Sequence, residues 1–215
     1  ILDLIIILKK VFLTSLLICI SLVSFASSIL IPMDEGQKNH LKAYGIAYWV
    51  LSKQLTVDWL LNYRGGSFLI QNNDQIQNEC RIRGVSFEVI PDVQVTAILK
   101  EISDPESNTD VVKLEKMPKV AVYSPKNKLP WDDAVTLVLT YAEIPYTTLY
   151  DEEILKGELP KYDWLHMHHE DFTGQFGKNL RRTSEADIKA QEAIASRYGI
   201  SKGPKKKLAV AEAIK

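Results

Sequence analysis

The chain holds two cysteines in 215 residues, and one of them, Cys19, lies in an N-terminal apolar run. Removal of that run leaves Cys80 alone, so an internal disulfide is excluded. Cys80 falls in DQIQNECR, a short helical pattern that reads as a half-buried structural thiol. Charge of one sign is also lacking, since the formal net charge is −1. The balance hides an asymmetry: residues 27–177 carry 14 Lys and Arg against 22 Asp and Glu, residues 178–215 carry 10 against 4. The basic end, Lys202 and Lys205 to Lys207, has no interleaved aromatics and no nucleic-acid motif, so it reads as a solvated helix start and nucleic acid is not an expected partner. No cofactor motif is present, and none is expected.

Long hydrophobic runs are confined to the beginning. Lys9-Lys10 precede Val11 to Phe25, and Ser24-Phe25-Ala26 places small residues at the −3 and −1 positions of a cleavage site. Residues 1–26 therefore read as a secretory signal peptide cut after Ala26, with residues 1–8 as extra sequence ahead of it. Neither apolar part alone reaches the roughly 20 residues that span a bilayer. The expected product is exported, periplasmic or extracellular, without stable membrane insertion once the signal is removed.

What remains reads as alternating strands and helices. A first segment, 27–102, contains strands over 29–33, 57–63 and 85–90 and helices over 37–53, 73–82 and 93–102. Leu41, Tyr44, Tyr48 and Leu51 set the apolar face of the first helix, widened by Ala43, Ala47 and Val50. The polar stretch 103–118 reads as a linker. A second segment, 119–215, opens with the buried strand KVAVYS, continues through a helix with Ala134, Leu137, Val138, Tyr141 and Ala142 on one stripe, and adds strands over 146–150 and 162–168. Strands alternating with helices imply parallel strands and right-handed crossovers, an α/β open sheet, mostly parallel, flanked by helices and flavodoxin-like. A sheet ending on a crossover helix is incomplete, so the helix over 205–215 is expected to be poorly anchored.

Three of the four histidines stand in WLHMHHED, residues 164–171. In an open parallel sheet, ligands bind beyond the carboxyl ends of the strands, where this stretch terminates. His166 and His168 share one face of the strand and His169 the other. Three readings stay open: a metal site using His166 and His168, an acid/base site pairing His168 or His169 with Glu170 or Asp171, and a packed strand end capped by Glu170 and Asp171. The motif matches no metal signature, so no metal is assigned. His168, His169 and Asp171 are the candidate catalytic residues. Asp34, Arg64, Ser124, His166 and Glu170 are the candidate ligand contacts, Asp34 and Ser124 because they end strands on the same rim. Arg64 opens RGGS, a turn whose backbone and guanidinium suit a carboxylate or phosphate.

The segments ILIPMDEGQKNHLKAYGIAYWVL, VDWLLNYRGGSFL, KVAVYSPKNKLPWDDAVTLVLTYAEIPY and LPKYDWLHMHHEDFTGQFGK resemble an exported bacterial family commonly labelled asparagine synthetase B. The likeness runs from about Ile29 to Lys178, and the chain resembles the N-terminal portion of longer members. It implies a fold similar to class I glutamine amidotransferase domains. The chain departs from glutamine-dependent asparagine synthetases, having neither their N-terminal cysteine nor their Ser-Gly-Gly-x-Asp-Ser loop, so that literal activity is disfavoured. In the amidotransferase fold the nucleophile's elbow would follow the helix ending at Lys215, and no residue here takes its place. The resemblance implies a hydrolase or a protein binding a small polar or carbohydrate-like ligand, with a non-catalytic periplasmic binding or assembly module as the alternative. The enzyme class and the oligomeric state stay open.

Overall fold

A computed structural model describes residues 27–124, 134–167, 183–199 and 203–214. The chain is α/β and divides into two compact units between Glu115 and Lys116.

The first unit runs β1 (Ser27–Ile31), α1 (His40–Ser52), β2 (Val57–Leu61), β3 (Ser67–Gln71), α2 (Asp74–Arg83), β4 (Glu88–Pro91), α3 (Asp92–Ile102) and β5 (Asp110–Leu114). Its sheet has the order β4-β1-β3-β2-β5, and every pairing is antiparallel. This corrects the expected mostly parallel sheet. The cause is β3: the short connection 62–66 reverses the chain, and β3 inserts between β1 and β2, with Leu30 opposite Leu69 and Trp59 opposite Phe68. The succession β1-α1-β2-β3-α2-β4 is a split βαβ arrangement. The stretch read as a linker over 103–118 also contains a strand, β5, whose Val112 pairs with Trp59.

Both faces of this sheet are covered, which explains why its strands lack the clean polar alternation of a half-solvated antiparallel sheet. Ile29, Ile31, Val57, Phe68 and Ile70 pack against α1 and α2, while Leu30, Leu60, Leu69 and Ile90 pack against Ile98 and Ile102 of α3. The period of two sends alternate residues to opposite cores. Helix α1 is capped by the Asn39 side chain, which accepts from the Lys42 amide at 3.1 Å. Its buried face is Ala43, Ile46, Ala47, Val50 and Leu51, so Leu51 and the widening residues Ala43, Ala47 and Val50 lie inward as expected, whereas Leu41 and Tyr44 are exposed. The small residues on this face let the helix lie close to the strands, and the larger Leu41 and Tyr44 are turned outward. Helix α2 starts under the Asn73 cap and stops at Gly84, whose φ of 69° suits glycine.

In the second unit β6 (Val120–Tyr123), α4 (Ala134–Ala142), β7 (Tyr146–Leu149), α5 (Asp151–Leu155), β8 (Trp164–Met167), α6 (Glu185–Arg197) and α7 (Pro204–Ile214) follow in order. The strands are ordered β7-β6-β8, all parallel. Val120 and Val122 meet Leu139 of α4 on one face. Ala121, Tyr123 and Leu149 meet Ile154 of α5 and Val210 of α7 on the other. Val210 and Ala211 are fully buried, so α7 is anchored, contrary to the expectation of a loose terminal helix; the apolar side of α5 and the sheet provides its seat. Leu137, Val138 and Tyr141 of α4, expected in its buried stripe, are exposed.

Candidate functional site

Asp34 and Arg64 come together at one end of the first unit's sheet. Asp34 follows β1 and Arg64 sits in the β2–β3 connection; the Arg64 Nε donates to Asp34 Oδ2 at 2.7 Å and its Nη1 donates to Glu88 Oε1 at 2.8 Å. The Gly36 amide donates to the other Asp34 oxygen at 3.0 Å. Beneath them the Gln37 amide group is buried, donating to Pro32 and Ser86 carbonyls and accepting from the Ser86 amide. Glu88 and Gln37 were missed in the sequence because both join the cluster through pairings distant along the chain.

The connection carrying Arg64 is strained. Asn62, Arg64, Gly65 and Gly66 all have positive φ, 45° at Arg64. A long side chain in the left-handed region costs about 1 kcal/mol or more. Its return is a guanidinium that bridges two carboxylates and draws the ends of β1 and β4 to the turn. A carboxylate or phosphate ligand, expected from the RGGS turn, would have to displace Asp34 or Glu88, and the three groups already sum to −1. The geometry therefore makes Arg64 a clamp.

The Arg64 hydrogen bond holds the Asp34 carboxyl below its ordinary pKa, partly opposed by desolvation. A depressed carboxylate contributes stability above its unfolded pKa, about 3.9, and that contribution is lost as pH falls through the lower folded value. Arg64→Gln is expected to raise the Asp34 pKa toward its unfolded value, so the first unit should be less stable than wild type at neutral pH and should lose less of its stability on acidification. Carbon NMR of the Asp34 carboxyl, read beside an acid titration of melting, checks this; an unmoved Asp34 titration would count against the clamp.

The candidates in the second unit lie at the carboxyl ends of its strands. Ser124 follows β6, and its amide donates to the Leu149 carbonyl at 2.9 Å, extending the pairing with β7. His166 stands opposite Val122 on β8, half-buried, with the Trp164 ring edge-on at 6.3 Å between centroids. Asp34 ends a strand of the other sheet, so the single rim expected to gather it with Ser124 does not exist. His168, His169, Glu170 and Asp171 lie outside the described residues. Among the described residues, no group of three or more His, Cys, Asp or Glu is arranged to hold a metal ion.

A feature the sequence reading passed over lies on the α5 and α7 face. Asp151, read as part of an acidic connection, is fully buried; the Tyr123 hydroxyl donates to its Oδ1, and Lys206 Nζ lies 4.0 Å from its Oδ2. The usable signal was Asp151-Glu152-Glu153 directly after a strand, an acidic first helical turn.

Cys80 is fully buried against the core of the first unit. Burial pushes its thiol up to about 12, so at neutral pH the thiolate is scarce and thiol chemistry is suppressed. Cys80 of the native protein is expected to resist alkylation by iodoacetamide at pH 8 and to react fully once the protein is unfolded in urea. Rapid alkylation of Cys80 in the folded protein, located by peptide mapping, would contradict the buried assignment.

Comparison of the chain with family models, with characterised proteins and with solved structures gives no match.

Proposed function

We propose that the chain is an exported protein that binds a small polar or carbohydrate-like ligand at the carboxyl ends of β6 and β8 in its second unit. The observation that carries the reading is the strand order β7-β6-β8 with all strands parallel. The path from β6 goes first to β7 on one side and then to β8 on the other, so β6 and β8 flank a topological switch point. Crevices of this kind are where open parallel sheets bind ligands. Ser124 follows β6 on one side of it and His166 lies on β8 on the other, and the sequence runs on from β8 into His168 and His169. In this reading the second unit has a flavodoxin-like, class I glutamine amidotransferase-like sheet, in keeping with the resemblance to proteins labelled asparagine synthetase B. The first unit, with its clamped turn, serves as a scaffold.

Binding without thiol catalysis is favoured by Cys80, which is buried and held protonated. Ser124 and the histidines would then orient a ligand by hydrogen bonds, with His169 and Asp171 as the pair suited to move a proton if a reaction occurs. The test is a thermal-shift screen of the whole chain with glutamine, asparagine, glucose and N-acetylglucosamine. A stabilising compound should lose its effect in Ser124→Ala and His168→Gln and keep it in Asp34→Asn. Loss in Asp34→Asn alone, or no stabilisation by any compound of these classes, would refute the placement.

A further inference from the structure

We propose that the buried Asp151 carboxylate, with Tyr123 and Lys206, fixes a single docked position of α7 on the second unit. This device goes beyond the binding reading and does not depend on it. Asp151 begins α5, is fully buried, accepts from the Tyr123 hydroxyl, and has the Lys206 ammonium 4.0 Å from its second oxygen. The carboxylate of this pair is fully buried and the Lys206 side chain is 30% exposed; such a pair adds little to stability compared with an apolar contact of the same volume, but removing one partner is costly for the charge left buried. Its usual use is therefore to choose among packings of similar energy.

Helix α7 needs such a choice. Its contact face is made by Val210, Ala211 and Ile214, seated against Ala121, Tyr123, Leu149 and Ile154. Val210 and Ile214 are one turn apart and nearly alike in shape, so oil alone distinguishes poorly between this position and one shifted by about one helical turn, roughly 5.4 Å. A slip that puts Ile214 in the seat of Val210 brings Val210 to the place of Lys206 and faces the Asp151 carboxylate with a hydrocarbon. The opposite slip drives the Lys206 ammonium into the apolar seat of Val210. Both leave a charge buried without its partner, which is heavily penalised. The Lys205 amide, donating to Glu192 Oε1 at 2.6 Å, is exposed and attaches to α6, so this tie does not register α7 against the sheet.

The experiment is native-state hydrogen exchange on the whole chain, comparing wild type, Lys206→Met and Asp151→Asn/Lys206→Met, with the α1 amides as internal reference. In Lys206→Met the Val210 and Ala211 amides should exchange at least ten-fold faster, with α1 unchanged. In the double variant the buried charge is gone, so thermal stability should return toward wild type while the α7 amides remain at least ten-fold faster or split into two resonance sets. If Lys206→Met unfolds the second unit, the double variant decides. One set of α7 resonances with wild-type exchange in the double variant would overturn the proposal, because apolar contacts would then suffice to fix the helix.

Discussion

Gly65→Ala is expected to destabilise the first unit by about 3 to 5 kcal/mol, among the largest effects of any single methyl group in the chain. A Cβ on Gly65 would stand 2.3 Å from the Met33 carbonyl oxygen, and the backbone φ there is 81°. The obstacle is main chain and cannot swing aside. The Met33 amide donates to the Arg64 carbonyl at 3.1 Å, so relief of the clash would pull apart the junction of β1 with the β2–β3 connection. With typical domain stabilities of about 5 to 15 kcal/mol, the unit would be left marginal. Gly84→Ala separates the two causes, since Gly84 has a similar φ of 69° but nothing within 4 Å of an added Cβ. It should cost about 1 kcal/mol, the left-handed penalty alone. Urea unfolding followed by far-ultraviolet circular dichroism measures both; equal costs would show that the backbone clash is absent.

Phe68→Ala should be comparably severe, about 3 to 5 kcal/mol. Phe68 is 2% exposed on β3, in the middle of the sheet, with ring centroids 5.5 Å from Tyr44 and 6.2 Å from Trp59. Truncation leaves a cavity between three strands and α1, and it removes the edge contact to Tyr44. Phe68→Leu keeps most of the volume and should cost less than about 2 kcal/mol. Leu41→Ala supplies the contrast, because Leu41 is 39% exposed and should cost under about 1 kcal/mol. The same urea experiments rank the three variants; a Leu41→Ala loss equal to that of Phe68→Ala would mean that α1 packs through the larger residues its sequence pattern suggests.

Those two sites show how far the sequence was legible. Helices α1, α2 and α3 were readable from apolar periodicity, because that signal acts within a few turns of chain. Strand β3 was not, since Ser67 to Gln71 follows the Gly65-Gly66 turn directly; its omission made the parallel strands β1 and β2 direct neighbours and reversed the inferred direction of β4. In the second unit the strands β6, β7 and β8 were readable, because each is a short apolar run bounded by a turn or helix signal. The charged groups divide in the same way. Asp34 and Arg64 were recognisable as residues of interest, but the role of Arg64 depends on Glu88, and that of Asp151 on Tyr123 and Lys206. These partners are set by tertiary packing, on which spacing along the chain carries no information.

The account places ligand binding at the switch point of the parallel sheet, and amide NMR of the isotopically labelled whole chain tests this most directly. Titration with whichever of glutamine, asparagine, glucose or N-acetylglucosamine stabilises the protein should shift Ser124, Tyr150, His166 and Met167, at the carboxyl ends of the strands, and leave Asp34, Arg64 and Gly65 in place. Shifts concentrated on Asp34, Arg64 and Gly65, with Ser124 and Met167 unmoved, would contradict it and assign the binding to the antiparallel unit.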